Sequence, residues 1–261
     1  QPSAGTSVYA EGQGLKWLPD GSGILFLSGM SGSSNIWLAE PETGQIEQLT
    51  TDLGRQPFLS ASLIDCSPDG RWLSFTGDNG SCDDRESSSH VELWLQETNS
   101  RKRRQITSFG ANISSYSWAP DSQSIVLSTN RFGHYDIFVV ELSTGHFKQL
   151  TNQNLYEVYP VFTPDGRNIV YVRLDESWKD HEFILKTVSG DEGHTVAKDT
   201  DFFDYLYGRR MGYPLISPDG LRLLFRSHRS GWVNYWQVPI NGGEPELGFP
   251  ENSDQSDATF S

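Results

Sequence analysis

The sequence predicts an all-β fold: a β-propeller of five four-stranded antiparallel blades, complete or part of a larger six- to eight-bladed ring. Three observations predict it. First, a Pro-Asp-Gly turn between two short apolar runs occurs at Pro19-Asp20-Gly21, Pro68-Asp69-Gly70, Pro164-Asp165-Gly166 and Pro218-Asp219-Gly220, with Pro120-Asp121-Ser122 as a fifth copy. Proline presets φ, aspartate bonds its own backbone two residues on, and glycine accepts positive φ, so each copy reads as a hairpin. Second, the copies share a frame. Pro19, Gly32, Asn35, Trp37, Gly44, Gln48, Leu49 and Thr50 recur 101 positions later as Pro120, Gly133, Asp136, Phe138, Gly145, Gln149, Leu150 and Thr151. Third, the spacing of 44 to 54 residues with four strand-like runs per unit is that of propeller blades.

Taken in order, residues 1–14 are small and polar and read as a lead-in segment, followed by a single propeller domain over 15–261. Its repeats run approximately over 15–50, 62–107, 115–151, 159–197 and 213–248, with a partial first strand at 257–261. In the first, Leu15 and Trp17 precede the turn, Ile24 to Leu27 follow it, and Asn35 to Ala39 and Ile46 to Thr50 complete a meander. The second carries about eight extra residues within Gly77 to His90 and rejoins the frame at Glu92-Leu93-Trp94 and Gln105-Ile106-Thr107. The fourth keeps its turn and Gly190 but lacks the closing Gln-Leu-Thr, and a longer connection follows from Asp201 to Gly212. The fifth keeps the frame through Gly231, Asn234, Trp236 and Gly243.

Composition narrows the partners. A formal charge of −14 disfavours a nucleic-acid backbone or an anionic membrane surface. No apolar run approaches membrane-spanning length, and no basic, apolar, small-residue leader pattern is visible, so no membrane insertion is expected. Cys66 and Cys82 flank one hairpin and either form a disulfide or remain two thiols.

With Ser/Thr/Ala-Pro-Asp-Gly, Asp/Asn-apolar-Trp/Phe and Gln-Leu-Thr elements repeated through residues 15–261, the chain resembles the TolB-like propeller family. The same repeat is found in propellers of prolyl-oligopeptidase-type peptidases and in sensor regions of some bacterial regulators. The resemblance implies the fold and a place in a bacterial envelope or outside the cell. It leaves function open, because this repeat serves scaffolding, gating and catalysis alike.

Blade topology puts the Pro-Asp-Gly and Thr-Gly turns on one face, and the second-to-third-strand and interblade loops on the other. The second set is the longer and more varied, and function on rigid scaffolds concentrates on such loops. It collects Asn130, Arg131, His134 and Tyr135 from the third repeat, Trp178, Lys179 and His181 from the fourth, and His228, Arg229 and Trp232 from the fifth. The interblade segments add Tyr156, Tyr159, Tyr205, Tyr207, Arg209 and Arg210. Aromatics and arginine are the types enriched at binding hot spots, so this face is expected to take a protein or peptide partner, or a small ligand. The alternative is that these rings cover neighbouring blades and the arginines pair local acids.

Catalytic signatures are sparse. The chain has no Gly-x-Ser-x-Gly elbow, His-Glu-x-x-His, Cys-x-x-Cys or phosphate-cradling loop, so no catalytic residue or cofactor is assigned. The rival readings are a substrate-gating propeller of a prolyl-oligopeptidase-like peptidase, the sensor half of a regulator, and a metal-dependent lyase of the oligogalacturonate type. The last would require His90, His134, His181 and His228 to converge. The acidic segment from Asp78 to Glu86 offers oxygen ligands for calcium but lacks EF-hand spacing and reads as solvated. Arg101-Lys102-Arg103-Arg104 reads as a charged outer edge that discourages sheet-to-sheet pairing.

Overall fold

The computed structural model describes residues 15–32, 35–51, 64–78, 90–190, 192–200, 203–204, 209–210, 214–231 and 233–248. The side chains of 78, 203, 204, 209 and 210 lie outside that description, as do the lead-in segment, Cys82, most of the acidic insertion and the expected strand at 257–261. Every regular element among the described residues is a β-strand. They form five four-stranded antiparallel meanders and one short hairpin.

The chain divides into two compact units, residues 1–113 and 114–261. The first unit holds two sheets. Sheet one is β1 (Leu15–Trp17), β2 (Ile24–Ser28), β3 (Asn35–Ala39) and β4 (Ile46–Gln48). Sheet two is β5 (Ile64–Cys66), β6 (Trp72–Asp78), β7 (Val91–Glu97) and β8 (Arg103–Gln105). They share a core of Leu25, Ile36, Ile64, Cys66, Leu73 and Phe75. Cys66 is a free thiol in that core, and burial, reinforced by Asp65 and Asp69, pushes its pKa up to about 12.

The second unit carries sheet three, β9 (Ile113–Trp118, in this unit from its second residue Ser114 on), β10 (Ser124–Thr129), β11 (Asp136–Glu141) and β12 (Phe147–Gln149). Sheet four is β13 (Tyr156–Phe162), β14 (Asn168–Leu174), β15 (His181–Thr187) and β16 (His194–Asp199). After the hairpin β17 (Phe203–Asp204) and β18 (Arg209–Arg210) comes sheet five, β19 (Leu215–Ile216), β20 (Arg222–Ser227), β21 (Asn234–Pro239) and β22 (Glu246–Leu247). Val126, Ile137, Ile169, Tyr171 and Ile184 join sheets three and four, while Val170, Val172, Phe183, Leu223, Phe225 and Val238 join sheets four and five. Both faces of β14 and β15 are apolar because sheet three covers one and sheet five the other.

The repeated motifs are structural devices. In sheet five the Asp219 carboxylate accepts from the Ser217 hydroxyl at 2.5 Å and the Leu221 N–H at 2.9 Å, while Gly220 holds φ +72°. These donors hold the Asp219 carboxyl below its usual range. The closing Gln-Leu-Thr is a lock on the head of the third strand. Thr50 Oγ1 accepts from the Ile36 N–H at 2.8 Å and donates to Asn35 Oδ1 at 3.2 Å. Gln48 Nε2 bonds the Thr50 carbonyl at 2.7 Å. Thr107 with Glu92, and Thr151 beneath Ile137, repeat the arrangement in sheets two and three.

The basic run lies at the turn and outer strand of sheet two, where Arg104 sits 4.9 Å over the Trp72 ring and Arg103 bonds Gln96 at 2.7 Å. Two expectations need correction. Tyr156 and Tyr159 are in β13 rather than in an interblade loop, because that strand starts three residues early and bulges between Val158 and Val161. The connection after sheet four also contains the β17–β18 hairpin, in which Phe203 pairs with Arg210 and Asp204 with Arg209.

Candidate functional site

The second-to-third-strand connections are less varied than the sequence suggested. In sheets one, three and five they close as the same tight turn, with N–H to C=O bonds from Gly32 to Gly29, Gly133 to Asn130 and Gly231 to His228. The three glycines hold φ of +92°, +104° and +87°, three residues before the next strand. Sheet four makes the corresponding turn from the Trp178 N–H to the Asp175 carbonyl at 3.1 Å. Here a tryptophan occupies the glycine position at φ +59°. A bulky side chain in the left-handed region costs about 1–2 kcal/mol, so its packing must hold it there. The Trp178 ring lies 4.3 Å from the Tyr156 ring, and His134 and Tyr135 approach the same tyrosine at 5.8 and 6.3 Å. Asp175 completes the turn by accepting from Ser177 Oγ and the Lys179 and Asp180 N–H groups.

Two further positions of sheet four depart in the same way. The head of the third strand, Asn35 in sheet one, Asp136 in sheet three and Asn234 in sheet five, is His181. The threonine of the lock is replaced by Asp199, which the register sets directly opposite His181. His181 is therefore not a loop residue: it is 1% exposed, with its ring 5.4 Å from Phe183. Burial pulls its pKa below the ordinary imidazole range against the pull of Asp199, so it is neutral at pH 7.

His181 and Asp199 line a cavity of about 710 Å³. Its walls are the ends of β14 and β16, the start of β15, Leu155 ahead of β13, and Arg229 from the β20–β21 turn. Asp199 Oδ1 accepts from the Thr200 N–H at 2.9 Å and faces Arg229 Nη2 at 3.4 Å. Arg229 is held firmly, bonding the Lys198 carbonyl at 2.9 Å and lying 5.2 Å from both the Phe225 and Trp236 rings. On the opposite wall Arg173 pairs with the fully buried Glu157 at 3.1 Å and reaches Glu182 at 4.0 Å, and Lys198 pairs with Glu182. Burial raises the Glu157 pKa despite hydrogen bonding and the nearby Arg173 charge.

The structure thus brings together Tyr135, His134, Trp178, His181 and Arg229 around one end of sheet four. Arg131 stands apart, its guanidinium 5.5 Å from the Phe132 ring, and His228 caps the sheet-five turn. Arg209 and Arg210 are placed only by their backbone, and Tyr205, Tyr207 and Trp232 lie outside the described residues. Tyr159 is buried, its N–H bonded to Ser115 Oγ at 2.9 Å, and belongs to the core. No group of three or more His, Cys, Asp or Glu side chains suited to a metal occurs among the described residues, so they offer the lyase reading no support. Sequence reasoning missed Asp199, Glu157, Arg173 and Glu182. The readable signal was His181-Glu182-Phe183 standing where Asn35-Ile36-Trp37 stands in sheet one.

Asp136 beside this site gives a pH prediction. Burial, then the charge of Glu157, pushes its carboxyl from 3.8 to about 6. The folded state then binds this proton more tightly than the unfolded chain. Its stabilising effect is full below pH 3.8 and is lost as pH rises through about 6. Asp136→Asn, the residue already present at Asn35 and Asn234, is expected to stabilise the protein by about 1–3 kcal/mol at pH 8 and by little at pH 4. Urea unfolding at both pH values checks this; an equal gain at each would reject the cause.

Residues 85–190 match the family model described as PD40, TolB beta propeller domain. A protein TolB homolog of Chlorobium chlorochromatii is 29% identical over 154 residues, 58% of this chain and 31% of that protein. TolB from Acinetobacter baumannii superimposes with a TM-score of 0.67 at 18% identity, over 88% of this chain and 52% of that one. The fold is a TolB-like β-propeller. A dipeptidyl-peptidase 5 of Porphyromonas gingivalis is also similar, 23% identical over 151 residues, 51% of this chain and 20% of that protein. The TolB-like propeller spans between a fifth and a third of the first curated relatives it matches. No helix long and apolar enough to cross a membrane occurs among the described residues.

Proposed function

We propose that this TolB-like propeller is a binding domain that seats a protein or peptide partner on the long-loop end of sheet four, in a bacterial envelope or outside the cell. The observation that carries this is the coincidence of three departures from the repeat at one end of sheet four: Trp178 for glycine in the turn, and His181 for asparagine or aspartate and Asp199 for threonine in the cavity wall. Sheets one and three close this end with a self-satisfied turn and lock. Sheet four keeps the turn but gives up the lock, accepts backbone strain at Trp178, and gains an aromatic shelf beside the cavity.

A pull-down from the source organism with Trp178→Gly tests the seat, with Arg209→Ala/Arg210→Ala and Trp232→Ala testing the wider face. Glycine relieves the strained φ while removing the shelf. The partner band is expected to fall at least about tenfold with Trp178→Gly, as for truncation of an aromatic anchor. Undiminished capture in all three variants would end this reading.

A second reading is favoured by the dipeptidyl-peptidase 5 similarity, which covers only a fifth of that protein. There the same cavity would hold a peptide on its way to a catalytic domain in another part of a longer chain. A Gly-x-Ser-x-Gly elbow downstream of Ser261 in the full reading frame would decide for it.

A further inference from the structure

We infer that the cavity of sheet four recognises a cationic side chain, lysine or arginine, presented by the partner segment; this rests on the binding role proposed above. Asp199 carries the inference. Its residue is 9% exposed, Oδ1 is engaged by Thr200 and Arg229, and Oδ2 is buried with no hydrogen-bond donor among the described residues. A carboxylate oxygen can only accept, and a buried one without a donor is costly, so the missing group is a donor, most favourably a charged one.

The surroundings have the matching sign. Arg173, Lys198 and Arg229 are already paired, with Glu157 and Glu182, with Glu182, and with Asp199 respectively. At the mouth, Asp180 is exposed, and Asp175 keeps its carboxylate charge while bonding its own turn. The whole chain carries −14, which favours the approach of a basic segment. Leu155 and Leu174 supply apolar wall for the methylene stem of such a side chain. A cavity of about 710 Å³ also leaves room for the residues flanking it.

Calorimetric titration of the whole chain with blocked pentapeptides tests the inference. The probes are acetyl-Gly-Ser-Xaa-Ser-Gly-amide with lysine, arginine, norleucine or glutamate at Xaa, and the unblocked serine-centred peptide as a free-amine control. Lysine and arginine peptides are expected to bind at least tenfold more tightly than norleucine and glutamate peptides. Asp199→Asn should remove that preference, and Asp180→Asn, on an exposed side chain, should weaken it several-fold with no change in Tm. Equal binding of lysine and norleucine peptides would mean that Oδ2 takes no donor from the ligand, and would overturn the inference. Preference for the unblocked control, or for glutamate, would overturn it as well. If Trp178→Gly abolishes partner capture while no cationic preference exists, the binding role stands and this inference alone fails.

Discussion

Phe183→Ala is expected to lower the unfolding free energy by about 3–5 kcal/mol, the range for removing a fully buried aromatic ring. Phe183 has no exposed surface, and its ring lies 4.6 Å from Phe225 in the core that joins sheets four and five. Little can collapse into the space, because Val172, Leu223 and Val238 there are themselves fully buried members of rigid strands. Leu221→Ala is the control: the residue is 63% exposed beside the Pro-Asp-Gly turn and should stay within about 0.5 kcal/mol. Urea unfolding of both variants reads the contrast. A loss below about 1 kcal/mol for Phe183→Ala would mean that sheets four and five are not held by this contact.

The second large effect is a separation of stability from binding. Restoring the repeat pattern in sheet four with Trp178→Gly, His181→Asn and Asp199→Thr is expected to leave unfolding free energy within about 1 kcal/mol of the parent. The changes remove a left-handed tryptophan and a buried ionisable pair, and rebuild the lock that Thr50 makes with Asn35. Against this stand the lost Trp178–Tyr156 contact and the lost Asp199–Arg229 pair. Binding should fall by at least about a hundredfold, since shelf, imidazole and carboxylate leave together. Urea unfolding alongside capture of the partner measures both. A triple variant that binds normally would show the three departures to be drift within the repeat. One that fails to fold would show them to be packing requirements.

Much of the fold was legible because a repeat states its own rules several times. Pro218-Asp219-Gly220 announces a hairpin whose every hydrogen bond is local, and the Gln48 side chain bonds a carbonyl only two residues on. Strand existence follows from such local chemistry. The early start of β13 was not legible, since the bulge at Val158/Val161 is set by contact with sheet three, where Glu157 N–H bonds the Tyr135 carbonyl at 2.8 Å. The β17–β18 hairpin lacks any strong turn signal at 205–208.

The sequence by itself determined an acidic, all-β repeat protein whose Pro-Asp-Gly face is plain turn chemistry, and it marked the fourth repeat as irregular. Only the tertiary structure decided what that irregularity amounts to. His181 and Asp199 are 18 positions apart and unremarkable alone; strand register sets them opposite each other, and Arg229 of the next sheet closes on Asp199. Register and sheet-to-sheet packing are non-local, so the site they build appears in no single stretch of the chain. The Trp178 side chain shows the same division. Its letter is visible in the sequence, but its left-handed backbone and its place on the Tyr156 ring exist only in the fold.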